Sequence, residues 1–188
     1  MTFRRFQPAD LPQCLLLHTL NEPGRFPELE RPYEMCLREQ RSYTLVAEHE
    51  GRIVASGSMQ YVLRKNIATL SFGLVHPEFQ GKGIGTALVL ARLALLKPSQ
   101  PYYRVLIFSV VRSIGFYRRF GFVRFRPWKD KHGHEHPSGA VEFTSRDIRR
   151  CRKLLVAHGI SFPPDEDLVP LIERPDASDQ PPEDKIGG

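Results

Sequence analysis

This 188-residue chain predicts an α/β fold of the α+β kind, a mixed, mostly antiparallel sheet flanked by helices, and three observations predict it. Strand-like runs rich in β-branched and aromatic residues come first, at "TFRRF", "SYTLVAEHEGRIVASGSMQYVL" and "IATLSFGLV". A glycine-rich turn, "HPEFQGKGIG", follows the third run and opens an apolar helical segment. Strand, short helix and strand then follow in "YYRVLIFSV", "RSIGFYRRF" and "GFVRFRPW". That order puts a ligand site at the centre of the sheet.

Along the chain, "TFRRF" reads as a first strand. "ADLPQCLLLHTL" reads as a helix with Asp10 as its cap and Pro12 in the first turn, with Leu11, Leu15 and His18 on one face. "PELERPYEMCLREQ" is a weaker helix, interrupted at Pro32. The next 22 residues form a hairpin turning at Glu50-Gly51. From Ile84 the apolar spacing becomes helical through Leu88, Ala91 and Leu95, ending near Lys97-Pro98. "KDKHGHEHPSG" reads as a polar loop before a short strand "AVEF", and Thr144 to Asp147 resembles a capping box opening a helix that Gly159 ends. The expected organisation is a domain over 1–143, a helix over 144–159 packed on it, and a proline-rich acidic arm over 160–188, partly disordered.

No run approaches the length of a membrane span and no apolar signal opens the chain, so a cytoplasmic protein is expected. Three cysteines, Cys14, Cys36 and Cys151, lack metal-ligand spacing and read as small buried hydrophobes. The net charge of +6 conceals an asymmetry: residues 160–188 hold eight acidic and two basic side chains, leaving 25 basic and 13 acidic in residues 1–159, a net of +12. Such a field favours anionic ligands without choosing among nucleotide, nucleic acid and acidic substrate.

The glycine turn fails two phosphate-binding patterns. A Walker A loop needs a hydroxyl after Gly-Lys, and Gly83 stands there after Gly81-Lys82, so no magnesium would be held. The dinucleotide pattern Gly-x-Gly-x-x-Gly ends on Thr86 or Leu88 in this chain. What remains is Gln80-x-x-Gly83-x-Gly85 at a strand-to-helix junction, where Gly81, Lys82, Ile84 and Thr86 complete a run of backbone N–H groups at the positive end of a helix. It resembles the Gln/Arg-x-x-Gly-x-Gly/Ala motif of the GNAT N-acetyltransferase superfamily. "GFYRRFGF", about 30 residues further on, resembles that family's second signature. The resemblance covers about residues 2–143.

That resemblance implies an N-acetyltransferase using acetyl-coenzyme A, with no metal, and direct transfer to a primary amine. It implies cofactor contacts at Gln80, Gly81, Lys82, Gly83, Ile84, Gly85 and Thr86, and backbone contacts at Leu74 and Val75 beside Gly73. It implies Tyr117 as the general acid that protonates the departing thiolate, a role a phenol fits because it is protonated at neutral pH. Two departures stand out. Val110 occupies a position where many members carry a coenzyme-contacting Asn, with Ser109 and Ser113 as polar substitutes, and the fourth strand lacks the usual basic carboxylate. Glu48 and His76 are the remaining base candidates, and without a strong base an α-amino acceptor is favoured over lysine.

The acceptor amine is the expected partner, with a homodimer compatible and neither membrane nor nucleic acid expected. Glu22, Glu28 and Glu34 could attract a cationic amine, and the His132, His134 and His136 loop could gate it, more readily than bind metal. Competing classes are a coenzyme-binding module without catalysis and a basic nucleic-acid-associated protein.

Overall fold

The computed structural model describes residues 1–21, 27–40, 42–62, 66–98, 102–129, 133 and 135–161. Seven strands form one sheet: β1 (Thr2–Arg5), β2 (Tyr43–His49), β3 (Arg52–Val62), β4 (Ile67–Val75), β5 (Tyr102–Phe108), β6 (Phe125–Lys129) and β7 (Glu135–Thr144). Their spatial order is β1-β2-β3-β4-β5-β7-β6, and β4–β5 alone pairs in parallel. The helices are α1 (Leu11–Asn21), α2 (Pro27–Arg38), α3 (Ile84–Ala94), α4 (Ile114–Arg118) and α5 (Ser145–Ala157).

Strand alternation divides the core. Tyr43, Leu45 and Ala47 of β2 join α3 and α5 residues on one face, while Val46 joins Cys14 and Leu17 of α1 and Tyr33 and Leu37 of α2 on the other. The β2–β3 hairpin turns through Glu50 and Gly51, with φ of 51° and 74°. Two successive positive φ values give the turn whose twist matches the flanking strands.

The sheet opens at its middle. β4 and β5 pair only from Ile67↔Arg104 to Leu70↔Ile107. Beyond that point β3 and β4 pair Ser58↔Ser71 and then Ser56↔Leu74, so β4 carries one extra residue. Phe72 sits in that bulge at φ 48°, its ring tilted onto Tyr33 at 5.1 Å between centroids. A bulge bends its strand, and β5 keeps its pairing with β7 past the same level through the Ser109 N–H bond to Pro137 O at 2.9 Å. One strand turns away while its neighbour stays, which leaves a cleft between them.

α5 grips the back of α3. The Thr144 hydroxyl accepts from the Asp147 N–H at 3.3 Å, and Asp147 Oδ2 accepts from the Thr144 N–H at 2.9 Å and from its hydroxyl at 2.6 Å. The hydrogen bonds from Thr144 hold the Asp147 carboxyl below its ordinary value. Arg152 donates to Ala94 O at 2.9 Å and Leu96 O at 3.2 Å, the carbonyls that α3 leaves exposed at its end. Thr144→Ala is expected to cost about 1 kcal/mol, lowering Tm by about 2–4 °C in a chain of this size. Because Asp147 ionises more readily when folded, the box stabilises fully above the unfolded carboxyl pKa and its contribution fades as pH falls through the lowered folded value. Thermal scans of parent and variant should therefore converge in acid.

Four expectations need correction. α2 runs unbroken through Pro32, which is exposed and sits one turn into the helix, where few intrahelical bonds depend on its N–H. Asp10 does not cap α1: it ends a 3-10 turn over Pro8–Asp10, accepts the Gln7 N–H at 2.8 Å and pairs with Arg4 at 2.7 Å. α3 ends at Ala94 rather than near Pro98. β7 begins at Glu135, inside the stretch read as loop, because "EHPSG" pairs with β6 at the sheet edge, where polar side chains can face water. The cysteines are free and buried, and burial pushes the Cys14 and Cys151 thiols up to about 11, so both stay protonated. Residues 162–188 lie outside the described residues.

Candidate functional site

The glycine turn sits where the sheet opens. After β4, His76 starts a 3-10 turn over Pro77–Phe79, Gln80 is extended, and Gly81 and Gly83 take φ of 75° and 82°. No side chain caps α3, whose N-cap is Gly83. An added Cβ at Gly81 or Gly83 would meet nothing within 4 Å, so both positions face open space. The N–H groups of Ile84, Gly85 and Thr86 begin the helix and have no earlier turn to accept them. A side chain at Gly81 or Gly83 would strain the positive φ.

Neighbouring groups hold this opening rigid. Ile84 is buried and anchors the first turn of α3. A Cβ at Gly85 would lie 3.6 Å from Phe116 Cε2 and 3.7 Å from Val75 Cγ2, so the helix start is wedged between α4 and the end of β4. Lys82 Nζ lies over the Phe79 ring at 5.2 Å from its centroid. Gln80 Nε2 donates to Val75 O at 3.0 Å and to Asn21 Oδ1 at 3.1 Å, and Asn21 Nδ2 donates to the same Val75 O at 3.1 Å. The loop, the end of α1 and the end of β4 are thus tied at one carbonyl. Sequence reasoning missed Asn21, whose polar side chain at a helix end carried no motif.

Tyr117 comes from the far wall. Its ring packs edge-on against Phe116 at 5.1 Å and Phe122 at 5.9 Å, and its hydroxyl lies 3.6 Å from where a Cβ would stand on Gly73. The phenol therefore reaches the opened edge of β4. Leu74 and Val75 follow Gly73 on that edge, beyond the last β5 pairing at Leu70.

Arg92 of α3 completes the wall and was also missed. It is 1% exposed, and its guanidinium donates to Leu88 O at 3.3 Å, Ser58 O at 3.3 Å and Ser71 O at 3.2 Å. A Cβ on Gly73 would lie 3.3 Å from its Nη2, so this nitrogen and the Tyr117 hydroxyl flank the same glycine. Burial pulls the guanidinium below its ordinary value, and the adjacent Tyr117 hydroxyl opposes that fall. An arginine amid "TALVLARLALL" was the available signal.

The base candidates do not assemble here. Arg4 Nε donates to Glu48 Oε2 at 2.8 Å while its other nitrogens hold Asp10 at 2.7 and 2.9 Å. Glu48 pairs with Ile53, two strands from β4 and four residues short of Gly57 at the bulge. That separation is about 10 Å across and 13 Å along the sheet. Glu48 is corrected accordingly: it is an ion-pair residue of the β1–β2 edge. His76 Nδ1 accepts the Glu78 N–H at 3.3 Å, which leaves the proton on Nε2, so neither nitrogen presents a free lone pair.

Ser113 is half-buried at the N-cap of α4, without a side-chain capping bond, while Ser109 donates to Val110 O at 3.3 Å. Glu34 pairs with Arg38 at 2.7 Å, and Glu22 and the Glu28 side chain lie outside the described residues, as do His132 and His134. His136 is a buried β7 residue whose ring lies 5.8 Å from that of Trp128. Among the described residues no three His, Cys, Asp or Glu side chains form a group that could hold a metal ion, and no helix is long and apolar enough to cross a membrane.

Comparison with known proteins places this arrangement. Residues 40–124 match the family model described as an acetyltransferase (GNAT) domain. The ribosomal-protein-S18-alanine N-acetyltransferase from Escherichia coli is 20% identical, with a TM-score of 0.57 over 76% of this chain and 93% of its own. Ard1 from Thermoplasma volcanium is 18% identical, with a TM-score of 0.60 over 75% and 96%. A GNAT family acetyltransferase from Brucella melitensis, solved with acetyl-CoA, is 21% identical, with a TM-score of 0.55 over 75% and 86%. At these identities the likeness is one of fold. No curated protein sequence matches the chain significantly.

Proposed function

Because this chain carries a GNAT acetyltransferase domain, we propose that it transfers an acetyl group from acetyl-coenzyme A directly to a primary amine. The observation that carries the reading is the meeting, at the β4–β5 opening, of an uncapped glycine-led helix start and the Tyr117 hydroxyl. The residues fit the coenzyme. Open space over Gly81 and Gly83 leaves room for a pyrophosphate against the N–H groups of Gly83 to Thr86, with Lys82 beside them and Ser113 on the facing turn. The freed edge at Leu74 and Val75 offers backbone groups to an extended arm, although Val75 O is already taken by Gln80 and Asn21.

When bound, acetyl-coenzyme A supplies a thioester whose carbon–sulfur bond breaks as the amine's nitrogen–carbon bond forms. Tyr117 Oη gives its proton to the departing sulfur and regains one from solvent. The proton lost by the amine leaves to water, since Glu48 and His76 are both engaged. The acceptor must therefore arrive neutral. An α-amino group, with an ordinary pKa of about 7.7–8.0, meets that condition near neutrality and a lysine at about 10.4 does not.

The test pairs calorimetry with acetyl-coenzyme A and a thiol-release assay over a peptide with a free N-terminus, an N-blocked lysine peptide, spermidine and an aminoglycoside. Binding is expected, with release on the free-N-terminus peptide and kcat/KM rising with pH to that amine's own pKa. The engaged base candidates favour one alternative, a coenzyme-binding module without turnover, which predicts binding with no release on any amine. Absence of binding would defeat both.

A further inference from the structure

Arg92 is an anomaly on energetic grounds. A buried guanidinium is costly unless an anion accompanies it, and among the described residues no carboxylate pairs with this one. Three backbone carbonyls accept from it. The fold also makes room at two independent places: a Cβ on Gly57 would lie 3.0 Å from Arg92 Cζ, and one on Gly73 3.3 Å from Nη2. Two strands thus keep glycine against the same side chain. Nothing in the packing of α3 requires a charge there, because its other buried residues, from Ile84 to Ala94, are apolar.

The charge faces Tyr117. α3 contributes Arg92, β4 contributes Gly73 with no titratable side chain, and Phe116 and Phe122 flank the ring. On α4 itself Arg118 is exposed, and beyond it the exposed Arg119 lies over the outer neighbour Phe116 at 4.9 Å. Arg92 is therefore the charged group directed at the hydroxyl among the described residues.

We propose that Arg92 is a positioning residue for Tyr117, a preorganised positive charge that steadies the negative charge left on the phenol oxygen when its proton goes to the departing sulfur. The inference rests on the acid role given to Tyr117 above. Before transfer the hydroxyl is neutral and the guanidinium lacks an anion; during transfer the phenolate supplies one. A fixed charge needing no reorganisation at that moment is worth more in a dry wall than in water.

The full chain with Arg92→Met, with Tyr117→Phe and with both tests this. Thermal unfolding, calorimetry with acetyl-coenzyme A and kcat on the free-N-terminus peptide are measured for each. Arg92→Met is expected to melt no lower than the parent, since an apolar chain of similar length replaces an unpaired charge. Its acetyl-coenzyme A affinity should stay within about threefold and its kcat fall about 10- to 100-fold. Added to Tyr117→Phe, it should cost little more, because both substitutions remove one shared step.

Arg92→Gln, which keeps an amide donor for the carbonyls but no charge, should behave like Arg92→Met, and Arg92→Lys should recover part of the rate. Full kcat in either neutral variant, multiplicative losses in the double variant, or a sharp loss of stability in both neutral variants would overturn the proposal. A full-rate Tyr117→Phe removes the acid role and this inference together. A slow Tyr117→Phe beside a full-rate Arg92→Met removes this inference alone.

Discussion

Tyr117→Phe is expected to lower kcat by about 10²- to 10⁴-fold and to leave acetyl-coenzyme A affinity within about threefold. The substitution removes one oxygen and keeps the ring, so the edge contacts with Phe116 and Phe122 persist. No hydrogen bond within the chain is lost with it, because the hydroxyl's neighbours are the position above Gly73 and the Arg92 guanidinium. A loss confined to kcat marks an interaction made only in the transition state. A rise in KM with unchanged kcat would show that Tyr117 only helps to bind, and single-turnover mixing with the free-N-terminus peptide separates the two.

Gly85→Asp should move stability and binding in opposite directions. Gly85 takes an ordinary helical φ in the first turn of α3, and the nearest atoms to an added Cβ, on Phe116 and Val75, are at normal contact distance. Replacing glycine in a helix gains about 0.5–1 kcal/mol, and a carboxylate in the first turn adds about 0.3–1 kcal/mol. Tm should therefore rise by a few degrees. The same carboxylate occupies the anion site, so acetyl-coenzyme A affinity should fall by about 100-fold or more, the equivalent of one or two charge-assisted hydrogen bonds. A variant that is more stable and still binds normally would move the pyrophosphate site off this helix start.

How far the sequence carried depends on what each feature asks of it. The glycine turn was legible because left-handed backbone at Gly81 and Gly83 writes itself into residue type. The strand order through β5 was legible because each buried strand shows its own pattern. The opening of the sheet was not: it arises from an extra residue at Phe72, whose positive φ no pattern announces and which Tyr33, 39 positions earlier, holds in place. Arg92 was hidden for a related reason. A basic residue in an apolar helix ordinarily extends its head to water, and only the glycines of two strands reveal that this one turns inward. Glu48 misled because its partner, Arg4, is far away in sequence and adjacent only through β1–β2 pairing.

The grip of α5 on α3 also redraws the working unit. The family match stops at residue 124, yet Arg152 ties down the tail of the very helix whose head offers its amides to a ligand. Past α5 the chain returns to its beginning, with the Phe3 N–H bonded to Ser161 O at 3.1 Å. A fragment trimmed to the matched residues would keep the loop and Tyr117 but lose the clamp behind them and the latch that joins the two ends of the sheet's wrapping, so the recognisable motif is smaller than the machine that holds it still.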